Sequence, residues 1–196
     1  MWHTEKSLPN ASIVVLPGGF AHGDYLRTGA LARFSPVMEA VRTYANSGGL
    51  LIGICNGFQI LCEAGLLPGA LRKNAGLKFL CRWTDLIVQT DRTPFTSRAE
   101  RGQILRLPIN HFEGNWYAAE DVYDRLIADD RVVLRYAPNP NGSLGDVAGI
   151  VNENRNVFGL MPHPERACEA LLGSEDGAMI LNSVLDHTSS RRPVVT

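Results

Sequence analysis

An α/β sheet with helices on both faces is predicted by three features of this chain. Short β-branched apolar runs alternate with amphipathic helical stretches, and the runs end in glycine-rich turns. With 45% hydrophobic residues among 196, the chain can bury one core without disulfide staples. In such sheets ligands sit beyond the carboxyl ends of the strands, so the residues that follow each run are where chemistry is expected.

Residues 12–16 read as a buried strand closed by Pro17-Gly18-Gly19. Phe34, Val37, Met38, Val41, Tyr44 and Ala45 recur at helical spacing, and Gly48-Gly49 stops that helix. Residues 50–54 form a second buried strand, after which the chain turns through Cys55-Asn56-Gly57 into an apolar helix over 58–64. Segments 79–88 and 103–107 read as strands, separated by a polar excursion, 90–101, that is expected on the surface. A helix is predicted over 119–128, a strand over 131–136, and a hairpin-like pair over 148–151 and 157–160. Ile180, Leu181, Val184 and Leu185 mark one face of a last helix. Residues 1–188 are thus read as a single domain and 189–196 as a flexible tail without a periodic core.

Charge and cysteine usage exclude several classes. With 19 Lys and Arg against 20 Asp and Glu, the net charge of -1 offers no grip for nucleic acid or an anionic membrane surface. Apolar runs such as 50–54 fall far short of the ~20 residues a membrane helix needs, and no basic-then-apolar signal opens the chain, so a cytoplasmic protein is expected. Cys55, Cys62, Cys81 and Cys168 lack the paired spacing of zinc or dithiol sites. They are expected to be reduced, with no metal site, and all but Cys55 are read as small buried hydrophobes.

Cys55 is set apart by Gly53-Ile54-Cys55-Asn56-Gly57, the G-x-nucleophile-x-G form of a sharp strand-to-helix turn. Such a turn holds the sulfur above the sheet, where the following helix start favours thiolate. The amide of Asn56 and one from Gly18-Gly19 are placed to form an oxyanion hole. The base is sought in Met161-Pro162-His163-Pro164-Glu165-Arg166, directly after the last apolar strand. Prolines on both sides are expected to hold the segment extended, so that Glu165 orients the His163 imidazole. The pattern supplies each role of a Cys-His-acid triad.

These motifs together resemble the class I glutamine amidotransferases. The match is narrowest to the glutaminase subunits of phosphoribosylformylglycinamidine synthases, through Leu16-Pro17-Gly18-Gly19-Phe20 with Asp24 and Arg27, Cys55-Asn56-Gly57-Phe58-Gln59, and 161–166. The resemblance spans about 13–185 and implies a flavodoxin-like sheet and a thioester route from glutamine to glutamate and ammonia. Cys55, His163 and Glu165 would be catalytic, Gly19 and Asn56 the oxyanion donors, and Gly18, Gln59, His111 and Glu113 substrate contacts. Asn110-His111-Phe112-Glu113-Gly114 departs from the commoner Ala-His-Gly-Glu-Gly, and Phe112 removes backbone freedom from that loop. No cofactor is implied in this subunit. ATP and Mg are expected on a large synthetase subunit (PurL), accompanied by a small accessory subunit (PurS), in purine biosynthesis. The chain itself has no G-x-x-x-x-G-K-[ST] phosphate loop.

The family places a strand, a helix and a second strand ahead of the position of Trp2-His3, so an N-terminal βα unit is expected to be missing, with lowered stability. Two other readings share the elbow: an inactive truncated subunit that only completes a synthetase complex, and an unrelated Cys-elbow α/β hydrolase.

Overall fold

The computed structural model describes residues 1–19 and 28–190, with backbone alone at Thr28 and Ser190. Asp24, Arg27 and 191–196 lie outside the described residues, and 189–190, expected in the tail, belong instead to the last helix. The first half runs β1 (Ile13–Leu16), α1 (Thr28–Ala32), α2 (Val37–Asn46), β2 (Leu50–Ile54), α3 (Asn56–Glu63) and β3 (Ala70–Arg72). The second half runs β4 (Leu80–Val88), β5 (Ile104–His111), β6 (Asn115–Tyr117), α4 (Glu120–Ala128), β7 (Val132–Tyr136), β8 (Val147–Val151), β9 (Val157–Leu160) and α5 (Asp176–Ser190).

The apolar runs assemble into a seven-stranded sheet in the order β1-β2-β9-β8-β7-β4-β5, with β3 and β6 paired separately. β1, β2 and β9 are parallel, in the register Val15↔Ile52 and Gly53↔Gly159. From β9 onward each neighbour is antiparallel. β2, β8 and β9 are buried at every position, so both faces of the sheet are covered. Because direction alternates from β9 to β5, the carboxyl ends of β1, β2, β9 and β5 face the same edge. The sheet curls enough to bring its two flanks together there: the His163 N–H donates to Pro108 O of β5 at 2.9 Å.

Packing departs from the sequence pattern at several points, each with a physical cause. Phe34 lies ahead of α2 and is 74% exposed, under the Arg33 guanidinium, while Met38, Val41 and Ala45 carry the buried face. The 90–101 excursion is a surface loop only in part: Asp91, Arg92, Ser97, Arg98, Glu100 and Arg101 are exposed, and the rest turns inward. Phe95 and Thr96 are fully buried, Phe95 packs on Phe158 of β9 at 5.1 Å between ring centroids, and Arg98 N–H donates to Ser183 Oγ of α5. Its threonines read as polar, yet Thr93 and Thr96 bond each other at 2.7 Å, and Thr96 bonds Thr90 O. Hydroxyls satisfied in this way can be buried. β5 continues through Pro108 to His111, a proline being tolerated because β5 is an edge strand. On α5 the buried positions are Gly177, Ile180, Ser183 and Val184, while Leu185 faces solvent.

Candidate active site

β2 ends at Ile54, and the next residue makes the turn the sequence calls for. Cys55 has φ 52° and ψ -106° as the N-cap residue of α3, a left-handed backbone that a non-glycine residue adopts only when its surroundings enforce it. The enforcement is visible on both sides. Cys55 N–H donates to Leu160 O of β9 at 2.8 Å, and a Cβ on Gly57 would collide with the Leu16 carbonyl of β1, so only glycine lets α3 start this close to the sheet. The first amides of α3, including that of Asn56, have no partner within the helix and carry its positive end. Cys55 is 2% exposed, and its thiol donates weakly to Asn110 O at 3.8 Å.

His163 follows β9, and its Nδ1 lies 2.6 Å from Glu165 Oε1. The bond is made differently from the extended geometry expected. His163 is extended, at φ -106° and ψ 90°, but Pro164–Arg166 coils into a 3-10 turn that swings Glu165 back under the ring. With Nδ1–H donating to the carboxylate, Nε2 is left with its lone pair. That atom is buried without a hydrogen-bond partner among the described residues. Gly18 shows how close the parts are: a Cβ there would sit 2.7 Å from His163 Cε1 and 3.2 Å from Cys55 Cβ. Gly18 is therefore packed against both side chains. At Gly19, by contrast, nothing among the described residues lies within 4 Å of where a Cβ would be. The Asn56 side chain, 5% exposed, donates from Nδ2 to Gly19 O at 2.8 Å.

The 110–114 loop forms the wall opposite. Gln59 Nε2 donates to Glu113 O at 2.7 Å, so this side chain braces the loop from α3. Phe112 has an ordinary backbone conformation, which explains why this loop does not require glycine there. His111 is buried, and its pKa is pushed down to about 3, chiefly by burial and further by nearby His163. Its tautomer follows from its neighbour. Asn74 Nδ2 donates to Lys78 O and His111 O, leaving Asn74 Oδ1 to accept from His111 Nδ1 at 3.1 Å and from Gly114 N–H. Burial, with Cys55 nearby adding to it, also pushes the Tyr136 hydroxyl up.

Sequence reasoning missed the residues that hold this wall. Asn74 is 1% exposed and bonds the loop at its start and its end. Asn141 Nδ2 and Ser143 Oγ both donate to Gly114 O, at 2.8 and 3.2 Å. Asn141-Gly142 signals only a turn, and nothing local ties it to residue 114. The structure thus gathers Gly18, Gly19, Cys55, Asn56, Gln59, His111, Glu113, His163 and Glu165 at one edge of the sheet.

Comparison with known proteins bears on the chain as a whole. The family model of the CobB/CobQ-like glutamine amidotransferase domain matches residues 1–176. Subunit PurQ of phosphoribosylformylglycinamidine synthase from Salinibacter ruber is 53% identical over 198 residues, covering 96% of this chain and 84% of that protein. Its counterpart from Moorella thermoacetica is 52% identical over 195 residues, covering 95% and 83%. A chain in the structure of PurLQS from Thermotoga maritima superposes with a TM-score of 0.85 at 48% identity, covering 92% of this chain and 82% of that one. The glutaminase domain of Trypanosoma brucei CTPS, at 12% identity and a TM-score of 0.60 over 95% of this chain and 74% of that one, shares the fold alone.

Proposed function

Because the chain belongs to the CobB/CobQ-like glutamine amidotransferase family, we propose that Cys55, His163 and Glu165 are the residues with which it hydrolyses glutamine. The chain is the glutaminase subunit of a phosphoribosylformylglycinamidine synthase. The observation that carries the assignment of residues is the meeting of the strained Cys55 turn with the His163–Glu165 pair around Gly18.

His163 Nε2 takes the proton of the Cys55 thiol, and the sulfur attacks the side-chain carbonyl carbon of glutamine. The carbonyl electron pair moves onto oxygen, where the amides of Gly19 and Asn56 stabilise it. As the C–N bond breaks, the proton on His163 passes to the nitrogen and ammonia departs, leaving a glutamyl thioester. Water then gives a proton to His163 and attacks the thioester carbon; the C–S bond breaks, His163 returns the proton to sulfur, and glutamate leaves. Glu165 keeps the imidazole in the tautomer that leaves Nε2 available. Gln59, His111 and Glu113 shape the wall against which the rest of the substrate lies.

Free ammonia in water is mostly ammonium, which is not a nucleophile, so the product needs a dry passage to its acceptor. In our reading that acceptor site lies on the large synthetase subunit PurL, which handles ATP and Mg, with PurS as the small accessory subunit. The test uses the assembled synthetase. Cys55→Ala should abolish glutamine-dependent product formation while ammonium salts at high pH still support it. Loss of both activities, or retention of the first, would contradict the assignment.

A further inference from the structure

The steps above use one bare ring nitrogen, His163 Nε2, and leave a second, His111 Nε2, without a role. His111 is 1% exposed, and its Nε2 is buried and meets no hydrogen-bond partner among the described residues. Native chains rarely leave a buried polar atom in that condition without a functional reason. Which ring nitrogen is bare is settled by Asn74. Its Nδ2 spends both hydrogens on Lys78 O and His111 O, at 2.9 and 3.0 Å, so its Oδ1, 3.1 Å from His111 Nδ1, can only accept. Nδ1 therefore carries the hydrogen, and Nε2, on the far side of the ring from Asn74, offers a lone pair. The same residue holds the loop around the ring: Asn74 N–H donates to Phe112 O at 2.9 Å, and Oδ1 also accepts from Gly114 N–H at 3.1 Å. A Cβ on Gly114 would overlap the imidazole, so the loop closes directly over it.

The strand that ends in His111 meets the triad at two points, Pro108 O accepting from His163 N–H at 2.9 Å and Asn110 O from the Cys55 thiol at 3.8 Å. Beyond His111, Glu113 O accepts from Gln59. His111 lies between these contacts, close enough for the His163 ring to disfavour a proton on it. Of the reacting groups of glutamine, the carbonyl oxygen needs donors, whereas the carboxamide nitrogen has two N–H groups to give. When His163 protonates that nitrogen, positive charge gathers there and the N–H groups become stronger donors. A neutral acceptor at that place favours the transition state over the ground state. We infer that Asn74 is a positioning residue: it holds His111 in the tautomer whose Nε2 accepts a hydrogen bond from the reacting nitrogen, first in the carboxamide and then in departing ammonia. The inference rests on the glutaminase reading given above.

The test compares glutamine with glutamate γ-methyl ester, using the chain assembled with the synthetase subunits. The ester forms the same oxyanion and the same Cys55 thioester. Its C–O bond breaks in place of C–N, the proton on His163 passes to the methoxy oxygen, and methanol leaves. That oxygen brings no hydrogen for His111 to accept. Asn74→Leu removes the group that fixes Nδ1–H and should lower kcat/KM for glutamine about 10-fold more than kcat/KM for the ester. Asn74→Asp keeps an acceptor against Nδ1–H and should hold the ratio of the two values within about threefold of wild type. His111→Phe removes the nitrogen itself and should shift the ratio at least as far as Asn74→Leu, which keeps the test decisive if that variant does not assemble. Amide and ester falling together in Asn74→Leu or in His111→Phe is what a merely structural role produces, and would overturn the inference. So would a ratio lowered as far by Asn74→Asp as by Asn74→Leu. Glutamine turnover that survives Cys55→Ala would instead overturn the glutaminase reading on which the inference depends.

Discussion

A histidine held neutral beside a second histidine has a measurable consequence. His111 is sealed from water, donates Nδ1–H to Asn74, and has its pKa pushed from the ordinary 6.5 down to about 3 by burial and by His163. The unfolded chain binds a proton at this residue as pH falls through about 6.5, whereas the folded chain does not until far lower pH. The contribution of His111 to stability is therefore fully present above about pH 6.5 and declines below it, by about 1.4 kcal/mol per pH unit. In urea unfolding, wild type should lose about 2 kcal/mol more than His111→Asn between pH 7.5 and pH 5. Equal losses would show that His111 is not held neutral. Keeping this group uncharged also suits a site that must release ammonia rather than ammonium. The proximity of Cys55 and the His163–Glu165 pair was legible from sequence because each lies inside a short motif whose spacing reflects a local turn. The burial of His111 was not, since it depends on Asn74, 37 residues away.

Helix α3 is the element on which the site turns. Its start must approach β1 until the Gly57 backbone touches the Leu16 carbonyl, and Phe58 and Leu61 then pack fully buried against the sheet. Gly57→Ala pushes the helix off β1 and should cost about 2–3 kcal/mol, read as a melting temperature lowered by about 5–10 °C. A melt within about 1 °C of wild type would mean that the helix does not sit as described. Strands and helices with strong periodicity, such as β2 and α3, were readable because burial alone dictates their pattern. The buried half of the 90–101 segment escaped the sequence reading for the opposite reason. Its threonines and Phe95 alternate without a period, and their burial is made possible by hydroxyl bonds to partners that no window of sequence displays. β3 and β6 span three residues each, too short to leave a pattern at all.

The parallel half of the sheet, β1-β2-β9, follows from alternating apolar runs and helices, and with it the placing of Gly18, Cys55 and His163 at one edge. The curl that returns β5 to that edge does not, because it arises from antiparallel pairings such as β4 with β7 between segments distant in the chain. The curl is nevertheless what completes the site, bringing Asn110 to the Cys55 thiol and Pro108 O to the His163 amide. A glutaminase built in this way has one central claim, that the amide carbonyl of glutamine is transferred to the Cys55 sulfur. The most direct measurement is mass spectrometry of the enzyme complex, acid-quenched during steady-state turnover of glutamine. We predict a glutamyl adduct on the peptide containing Cys55, absent from Cys55→Ala. An adduct on Cys62, Cys81 or Cys168 instead, or sustained glutamate release by Cys55→Ala without any adduct, would contradict the account.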